Sequence, residues 1–261
     1  MARLRNPVLD RLRKDELALG VGVRLARTVE IAKMMRGCDF DWLFIDLEHG
    51  SLTLDHTAQI SAMALETGIG AIVRIPQEQW DMASRALDNG ATGIVMPHVD
   101  TPEVAAMAVR RLRFPPVGHR ATYGGIAQYD YGATEVVDCA PELDASILLA
   151  MMLESPLAIE NAEAIAAIEG IDVLFIGAHD LSVEMGVPGV LDHPRMVAAF
   201  EHVVAAARKH GKFCGFGGLG DEALMARYIG MGMRMILNGT DFAFMIKAAT
   251  DRARVLRGVK R

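Results

Sequence analysis

A single-domain (β/α)8 barrel is the fold that this sequence predicts, and three observations indicate it. Short apolar runs alternate with amphipathic segments along the chain, eight times in all. Runs such as "WLFID", "VLFIG" and "AIVRI" are apolar at nearly every position, which is typical of parallel strands buried on both faces. The chain has 261 residues, close to the usual length of a closed eight-stranded barrel.

The strands and helices follow from the apolar runs and from the segments between them. The predicted strands cover residues 17–23, 42–46, 70–75, 93–96, 147–153, 173–176, 213–216 and 233–237. The predicted helices cover residues 27–36, 55–67, 79–88, 102–112, 156–168, 194–210, 220–229 and 241–257.

Periodicity and capping residues support the helices. In the segment 194–210, apolar residues such as Met196, Phe200 and Val203 recur on one helix face. Gly211 then follows as expected at a helix C-terminus. At residues 100–103, a capping residue precedes a proline at the first helical turn, which is a strong start signal.

An open, doubly wound sheet is the alternative fold, and it requires a glycine-rich phosphate turn after its first strand. The sequence "GVGVRLA" at 20–26 has two glycines but lacks the third at the required spacing. The segment 113–145 is longer than an ordinary loop and is expected to form a lid or a subunit contact.

The amino-acid composition limits the classes of protein to which this chain can belong. Hydrophobic residues make up 51% of the chain and charged residues 23%, enough for one large core, and no linker separates two blocks. The net charge is −6, and the basic residues near both ends are interpreted as solvated helix faces, so no nucleic-acid partner is expected. Three scattered cysteines do not make a disulfide framework or a cysteine-based zinc site. With no signal-peptide or membrane-spanning run recognised, we expect a soluble, cytoplasmic protein.

Charged side chains follow several of the predicted strands. Catalytic groups of such barrels come from the C-terminal ends of the strands, so these positions are the ones to inspect. The residues found there are Arg24, Asp46, Glu48, His49, Arg74, His98, Glu154, Asp180, Asn238 and Asp241. Gathering so many ionisable groups at one end is costly unless they act together, and this indicates an enzyme.

Two of these carboxylates suit a metal ion. Glu154 ends a run too apolar for an unpaired charge, so a metal ion or an arginine is expected as its partner, and Asp180 follows the next strand. Oxygen ligands on adjacent strand ends favour Mg²⁺ or Mn²⁺. The alternative for Asp180 is a helix N-cap, with Leu181 beginning the helix.

A histidine and two arginines complete the candidate site. His49 follows acidic residues that can hold its ring in one tautomer and keep it basic near neutral pH. Arg74 ends a buried strand and is expected to face an anion, and Arg24 has a similar position. His98, His119 and His179 are placed near the mouth as further candidates for substrate contact.

With these residues in view, the sequence resembles the HpcH/HpaI family of class II, metal-dependent 2-keto-acid aldolases, within the phosphoenolpyruvate-binding barrel superfamily. The similar segments occur in family order across most of the chain. They are "FDWLFIDLEHG" (40–50), "VRIP" (73–76), "ALDNGATGIVMPHVDTPEVA" (86–105), "FPPVGHR" (114–120), "LES" (153–155) and "IEGIDVLFIGAHDLSVEMGVPG" (168–189).

The resemblance implies roles for five residues. Glu154 and Asp180 match the metal carboxylates, His49 the base, and Arg74 the residue that stabilises charge on the keto oxygen. Asp88 matches a residue that raises the basicity of the histidine. Because Asp88 lies near the end of a predicted helix that runs away from the active face, it is expected to act across a subunit boundary or not at all.

Two positions depart from the family pattern and bear on the substrate. Met152 stands where the family often has a substrate-contacting glutamine, and His179 stands where a small residue is usual. Both are taken as substrate-binding positions, together with Arg24. The donor therefore stays open between pyruvate, hydroxypyruvate and oxaloacetate.

The implied reaction is the making or breaking of a carbon–carbon bond in a 4-hydroxy-2-keto acid, with a divalent cation (Mg²⁺ or Mn²⁺, possibly Co²⁺), a 2-keto acid and an aldehyde. The enzymatic alternative is a CoA-thioester lyase of the citrate-lyase-β type, although those relatives usually carry Arg-Val-Asn where this chain has residues 74–76 as "RIP". The non-enzymatic alternative is a binding protein on a decayed barrel. The resemblance also implies a homo-oligomer, a trimer or hexamer.

Overall fold

The computed structural model describes residues 4–121, 124–132 and 136–259. Eight parallel strands form a closed barrel in which each strand pairs with the next one in the sequence. They are β1 (Ala18–Val23), β2 (Trp42–Asp46), β3 (Gly70–Arg74), β4 (Gly93–Met96), β5 (Leu148–Leu153), β6 (Val173–Gly177), β7 (Phe213–Gly217) and β8 (Met235–Thr240). Since β8 pairs in parallel with β1, the predicted (β/α)8 barrel is confirmed.

The helices surround this barrel. They are α1 (Pro7–Leu12), α2 (Glu30–Gly37), α3 (Leu54–Thr67), α4 (Trp80–Asp88), α5 (Pro102–Leu112), α6 (Val136–Ser146), α7 (Pro156–Glu160), α8 (Ala162–Ala166), α9 (Ala178–Glu184), α10 (Pro194–Lys209), α11 (Glu222–Met231) and α12 (Asp241–Arg257). A 3-10 turn covers Ala127–Tyr129. None of the helices in the described part of the chain has the length and apolarity needed to span a bilayer.

The interior of the barrel is filled by side chains that face its axis. Trp42, Phe44, Phe175 and neighbouring aliphatic residues form one buried cluster, and Trp42 packs edge-on against both phenylalanines. Gly20 is required beside this tryptophan, because a Cβ atom there would lie 2.1 Å from the indole ring. The bulky residues at this level make the barrel a packed core and leave its upper end for the site.

Helix α1 closes the N-terminal end of the barrel; the sequence indicated helical character for the basic residues near the start of the chain but gave the helix no bounds. Asn6 caps the helix by accepting from the amides of Val8 and Leu9, and its own amide donates to Thr92 O at 2.7 Å and Ser146 O at 2.8 Å. Val8 and Leu9 are buried against the inward-facing cluster. Burying each such side chain stabilises the fold by roughly 1.5–3 kcal/mol.

Two predicted helical boundaries were wrong. The predicted helix 156–168 is interrupted at Asn161, whose side-chain amide donates to Asp100 O at 2.8 Å, and it forms α7 and α8 instead. Helix α9 begins at Ala178 after Gly177, so Asp180 lies in its first turn. The alternative interpretation of Asp180 as an N-cap is therefore wrong.

The described residues of the segment 113–145 lie near the N-terminal end of the barrel. The segment contains the 3-10 turn and most of α6, and residues 122–123 and 133–135 lie outside the described part. Arg113 donates to the carbonyls of Ile147 and Gly170, which precede β5 and β6. The described residues of the segment thus pack at the N-terminal end of the barrel, and its expected role as a lid or a subunit contact stays a prediction.

Candidate active site

A buried ion pair joins the ends of β2 and β3. Asp46 and Arg74 are register partners on these strands. Asp46 accepts from Arg74 Nε at 3.0 Å and from Nη2 at 2.6 Å, and both side chains are almost fully buried. Burial by itself raises the pKa of Asp46, but Arg74, the His49 amide and Arg24 outweigh it, so the net effect lowers that pKa. Asp46 is therefore an ionised acceptor that orients the guanidinium.

Arg24 reaches the same carboxylate from the end of β1. Its Nε donates to Asp46 Oδ2 at 2.8 Å, while about a third of its side chain stays exposed at the mouth. The loop that carries it is held by Asp241, the first residue of α12. Asp241 accepts from the amides of Arg24, Leu25 and Ala26, the last at 2.7 Å.

Glu48 lies between Arg74 and two histidines. Its Oε2 is 3.1 Å from Arg74 Nη1 and 3.6 Å from His49 Nε2, and its Oε1 is 3.6 Å from His98 Nε2. The Arg74 contact lacks hydrogen-bond geometry, so Oε2 is buried without such a partner. His49 is more than half exposed, and its amide donates to Asp46 Oδ1 at 3.2 Å. The ring is therefore accessible from solvent while its backbone is held.

Glu154 is the buried carboxylate at the end of β5. It is 3% exposed, and its Oε2 accepts from the His98 amide at 3.2 Å. Burial raises the pKa of Glu154 to about 7; the His98 amide and ring and Arg74 oppose this rise, and Asp180 adds to it. Gly177 on β6 makes room for this side chain, because a Cβ there would lie 2.4 Å from Glu154 Oε1.

The donor set of Glu154 and Asp180 fits a hard divalent cation. Burial with a second carboxylate nearby is unfavourable for Glu154 and would be relieved by a positive charge. Among the described residues, no group of three His, Cys, Asp or Glu side chains could hold a metal by itself. Mg²⁺ commonly takes one or two carboxylates and completes its shell with water and substrate oxygens, so two ligands suffice.

The two positions that depart from the family pattern lie close to these carboxylates. Met152 lies on β5, two residues before Glu154. Its side chain faces the barrel interior and is buried in the inward-facing cluster. His179 is exposed in the first turn of α9, and its ring packs against Gly218, where a Cβ would lie 2.8 Å from His179 Cδ2.

Asp88 and His119 lie away from these groups. Asp88 ends α4, and it accepts from the buried Arg120 at 2.6 Å. The nearby Gln128 donates to the carbonyls of Leu87 and Ala91, which places the pair at the N-terminal end of the barrel. Asp88 does not contact His49 within the protomer. The amide of His119 donates to Arg110 O near the end of α5, so its predicted place near the mouth is wrong.

Sequence reasoning placed Asp46, Glu48 and His98 at the mouth but assigned no pairings. Glu48 contacts Arg74 and both histidines, yet in the sequence only its position after β2 indicated that it belongs to the site. His98 has a left-handed backbone with φ of 51°, which few non-glycine residues adopt. The segment "MPHV" alone did not reveal that conformation.

The comparison with known families covers most of the chain. The family model described as HpcH/HpaI aldolase/citrate lyase matches residues 25–248. The chain belongs to this family. The resemblance inferred from the sequence segments is thereby confirmed.

Relatives and solved structures agree with this assignment. The chain is 36% identical to the 4-hydroxy-4-methyl-2-oxoglutarate aldolase of Hapsidospora irregularis over 84% of this chain and 82% of that protein. It is 32% identical to the hydroxypyruvate/pyruvate aldolase of Cupriavidus necator over 97% and 93%. The crystal structure of the HpcH/HpaI aldolase from Desulfitobacterium hafniense superposes with a TM-score of 0.91 at 26% identity, over 97% of each chain.

These relatives are named as aldolases of 2-keto acids, so the predicted carbon–carbon lyase is confirmed and the CoA-thioester lyase is not favoured. The need for a metal, the roles of the individual residues, the compartment and the oligomeric state stay predictions.

Proposed function

We propose that this protein is a class II aldolase that cleaves or forms a 4-hydroxy-2-keto acid with the help of a divalent cation at Glu154 and Asp180. The observation that carries the proposal is the buried Glu154 carboxylate beside a second carboxylate, at the same barrel end as Arg74 and His49. When bound, Mg²⁺ or Mn²⁺, possibly Co²⁺, supplies a Lewis acid for the oxygens of the 2-keto acid.

The chain's own residues account for the movement of protons and charge. In the cleavage direction, His49 takes the proton of the 4-hydroxyl group, and the bond between C3 and C4 breaks to release an aldehyde or ketone. The electron pair becomes the enolate of the donor keto acid. Arg74, held in place by Asp46, faces the negative charge that develops on the keto oxygen.

Arg24, His179 and Met152 are assigned to the binding of the substrate. Arg24 keeps part of its guanidinium exposed at the mouth, which suits a substrate carboxylate. Met152 precedes Glu154 by two residues on β5, and His179 immediately precedes Asp180 in α9. Their contacts with the substituents of the donor would distinguish pyruvate from hydroxypyruvate or oxaloacetate.

The names of the relatives indicate which acceptor to test first. The Hapsidospora irregularis enzyme is named for 4-hydroxy-4-methyl-2-oxoglutarate, and cleavage of that compound between C3 and C4 yields two molecules of pyruvate. A 2-keto acid as acceptor is therefore the first compound to test beside simple aldehydes, with pyruvate or hydroxypyruvate as donor.

The decisive experiment needs no acceptor. Purified protein is incubated with pyruvate in D2O, with Mn²⁺ or with EDTA, and the methyl signal is followed by NMR. We expect exchange that requires the metal and is lost in Glu154→Gln. Glu201→Gln, an exposed residue on α10, is the control and should exchange as the unaltered protein does.

Retention of exchange in EDTA would contradict the metal dependence. The same exchange experiment is repeated with hydroxypyruvate. If neither compound exchanges its C3 protons although Mn²⁺ binds, the proposed donor is wrong. If neither exchanges and Mn²⁺ does not bind, the proposed function fails altogether.

We further propose that the protein is a homo-oligomer, with a trimer or hexamer expected from the family resemblance. Helix α12 has no buried residue, and its exposed apolar residues include Met245, Ile246 and Leu256. The same chain has an apolar hollow of about 380 Å³, lined in part by Leu19, Phe40, Met225, Ile229 and Ile236. A second copy of the chain supplies apolar surface suited to both regions.

Sedimentation velocity tests this assembly. We expect an oligomer that dissociates in the double variant Met245→Glu/Ile246→Glu, whereas Met107→Glu on α5 leaves it intact. A monomeric unaltered protein at micromolar concentration would contradict the proposal.

A further inference from the structure

The ring of His98 lies between the carboxylates of Glu48 and Glu154 in the candidate site. Its ring Nδ1 lies 3.4 Å from Glu154 Oε2, and its Nε2 lies 3.6 Å from Glu48 Oε1. The residue follows β4, so it stands between side chains that come from the ends of β2 and β5. About half of the ring is exposed, which means that packing alone does not explain its place.

The backbone at His98 also contacts the residues of β5 and Glu154. Its amide donates to Glu154 Oε2 at 3.2 Å, and the next amide, that of Val99, donates to Met152 O at 3.1 Å. Two successive amides thus bind one side-chain and one main-chain oxygen of β5. With φ of 51°, the amide and the ring of His98 face the same oxygen of Glu154.

A left-handed backbone at a residue other than glycine is unfavourable and persists where surrounding contacts require it. Here the contacts are those with β5. Histidine and asparagine occupy this region more readily than most residues, whereas a β-branched residue is strongly disfavoured there. The conformation therefore depends on the residue type at position 98.

We infer that His98 is a positioning residue: its left-handed backbone sets the place of the Glu154 carboxylate and thereby the affinity of the site for a divalent cation. This inference rests on the proposed function, because it takes Glu154 as a metal ligand. It adds that the conformation of residue 98, rather than the imidazole alone, is what the site requires.

The test measures the affinity for Mn²⁺ alone, by the EPR signal of the free ion, in protein stripped with EDTA and dialysed. We expect His98→Asn to bind Mn²⁺ within about threefold of the unaltered protein, because asparagine tolerates the left-handed region. We expect His98→Val to bind at least about tenfold more weakly, because its backbone leaves that region and the amide turns away from Glu154.

Asp39→Val is the matched control. Asp39 has φ of 61° in an exposed stretch before β2, so valine there meets the same backbone penalty away from the carboxylates. It should lower the melting temperature and leave Mn²⁺ affinity unchanged. If His98→Val does not fold, His98→Ala carries a milder form of the same penalty and an intermediate loss is expected.

The outcomes separate this inference from the proposed function. Equal Mn²⁺ affinity in the valine, asparagine and unaltered proteins would overturn the inference and leave the proposed function standing. An equal loss in the asparagine and valine variants, with unchanged melting temperatures, would also overturn it, because the ring would then be the requirement. Absence of Mn²⁺ binding by the unaltered protein would refute the proposed function and the inference with it.

Discussion

Asp46 and Arg74 face each other across the last register pair of β2 and β3, and two hydrogen bonds of 3.0 and 2.6 Å join the carboxylate to Nε and Nη2 of the guanidinium. In this geometry Nη1 lies 3.1 Å from Glu48 Oε2, an ion-pair contact without a hydrogen bond. The guanidinium is thus held from two sides, and Phe44 packs against it with 5.1 Å from Cζ to the ring centre. A planar group with several donors is needed for such an arrangement.

We therefore expect Arg74→Lys to lower kcat/KM by about 100-fold, because one ammonium group cannot replace two donors to Asp46 and the charge near Glu48. The measurement is steady-state cleavage of a 4-hydroxy-2-keto acid, with pyruvate release followed by a coupled reductase.

The control for this substitution is Arg5→Lys, since Arg5 is exposed and its ion pair among the described residues is with Asp10 on α1. It should leave kcat/KM unchanged. A loss of less than about threefold in Arg74→Lys would show that the paired guanidinium does not matter for the reaction.

The pKa of Glu154 predicts how stability varies with pH when metal is removed. Burial raises this pKa from 4.5 to about 7, so between these values the folded protein holds a proton that the unfolded chain has released. The free energy of unfolding therefore falls as the pH rises through this range. The cost of ionising Glu154 reaches about 3 kcal/mol above pH 7.

Glu154→Gln does not ionise, so in EDTA its stability relative to the unaltered protein should rise between pH 5 and pH 8. Urea unfolding at the two pH values measures this difference. Glu201→Gln, an exposed control, should show no such trend. A stability difference independent of pH in Glu154→Gln would mean that Glu154 ionises normally in the fold.

Met152 offers a test of donor preference. It lies one inward-facing position below Glu154 and has apolar neighbours in the barrel interior. In Met152→Gln, a buried amide able to hydrogen-bond a hydroxyl group replaces a thioether. We expect the ratio of kcat/KM for hydroxypyruvate over pyruvate to rise about tenfold, because an unpaired buried amide disfavours the donor without the hydroxyl.

Met152→Leu keeps the side chain apolar and should change this ratio by less than about twofold. The two donors are compared in the same condensation with a common aldehyde. If the glutamine and leucine variants show the same ratio, the residue has no part in donor selection.

The pair of Asp88 and Arg120 makes a prediction about stability. The Arg120 side chain is 2% exposed, its Nη2 donates to Asp88 at 2.6 Å, and its Nε and Nη1 have no hydrogen-bond partner among the described residues. Removing Asp88 leaves a buried charge, so Asp88→Asn should lower the free energy of unfolding by about 3 kcal/mol. Double-mutant cycles with Arg120→Gln should give a coupling of at least about 1 kcal/mol.

Additive effects of the two substitutions would exclude a direct interaction in the folded protein. A separate measurement addresses the role that the family resemblance implies for Asp88. A shift of the pH–rate profile in Asp88→Asn that is absent in Arg120→Gln would indicate that Asp88 acts on a histidine of another subunit.

The strands were predictable because their composition leaves little choice. The run "WLFID" is apolar until its final carboxylate, and the predicted bounds of β2 and β4 coincide with the observed ones. Helix α6 was missed, since it contains Pro141 and polar residues without a clear apolar period. Helix α1 has only 6 residues, and its capping by Asn6 depends on distant carbonyls that no local pattern reveals.

The site could be predicted as a set of residues but not as a set of pairs. Arg24, Arg74 and Glu154 converge because all parallel strands end at one rim of the barrel. The Asp46 pair depends on the register between β2 and β3, which periodicity does not give. The backbone of His98 depends on contacts with β5, which lies more than 50 residues away in the sequence.

The carboxylate of Asp241 has a wider consequence. It binds three successive amides of the loop after β1 and at the same time begins the helix whose surface stays uncovered in the protomer. If a second copy of the chain contacts α12 and shifts it, Asp241 would shift the loop after β1 and Arg24 with it. This coupling would not involve the interior of the barrel. Subunit association and substrate binding would then be coupled through the Asp241 side chain.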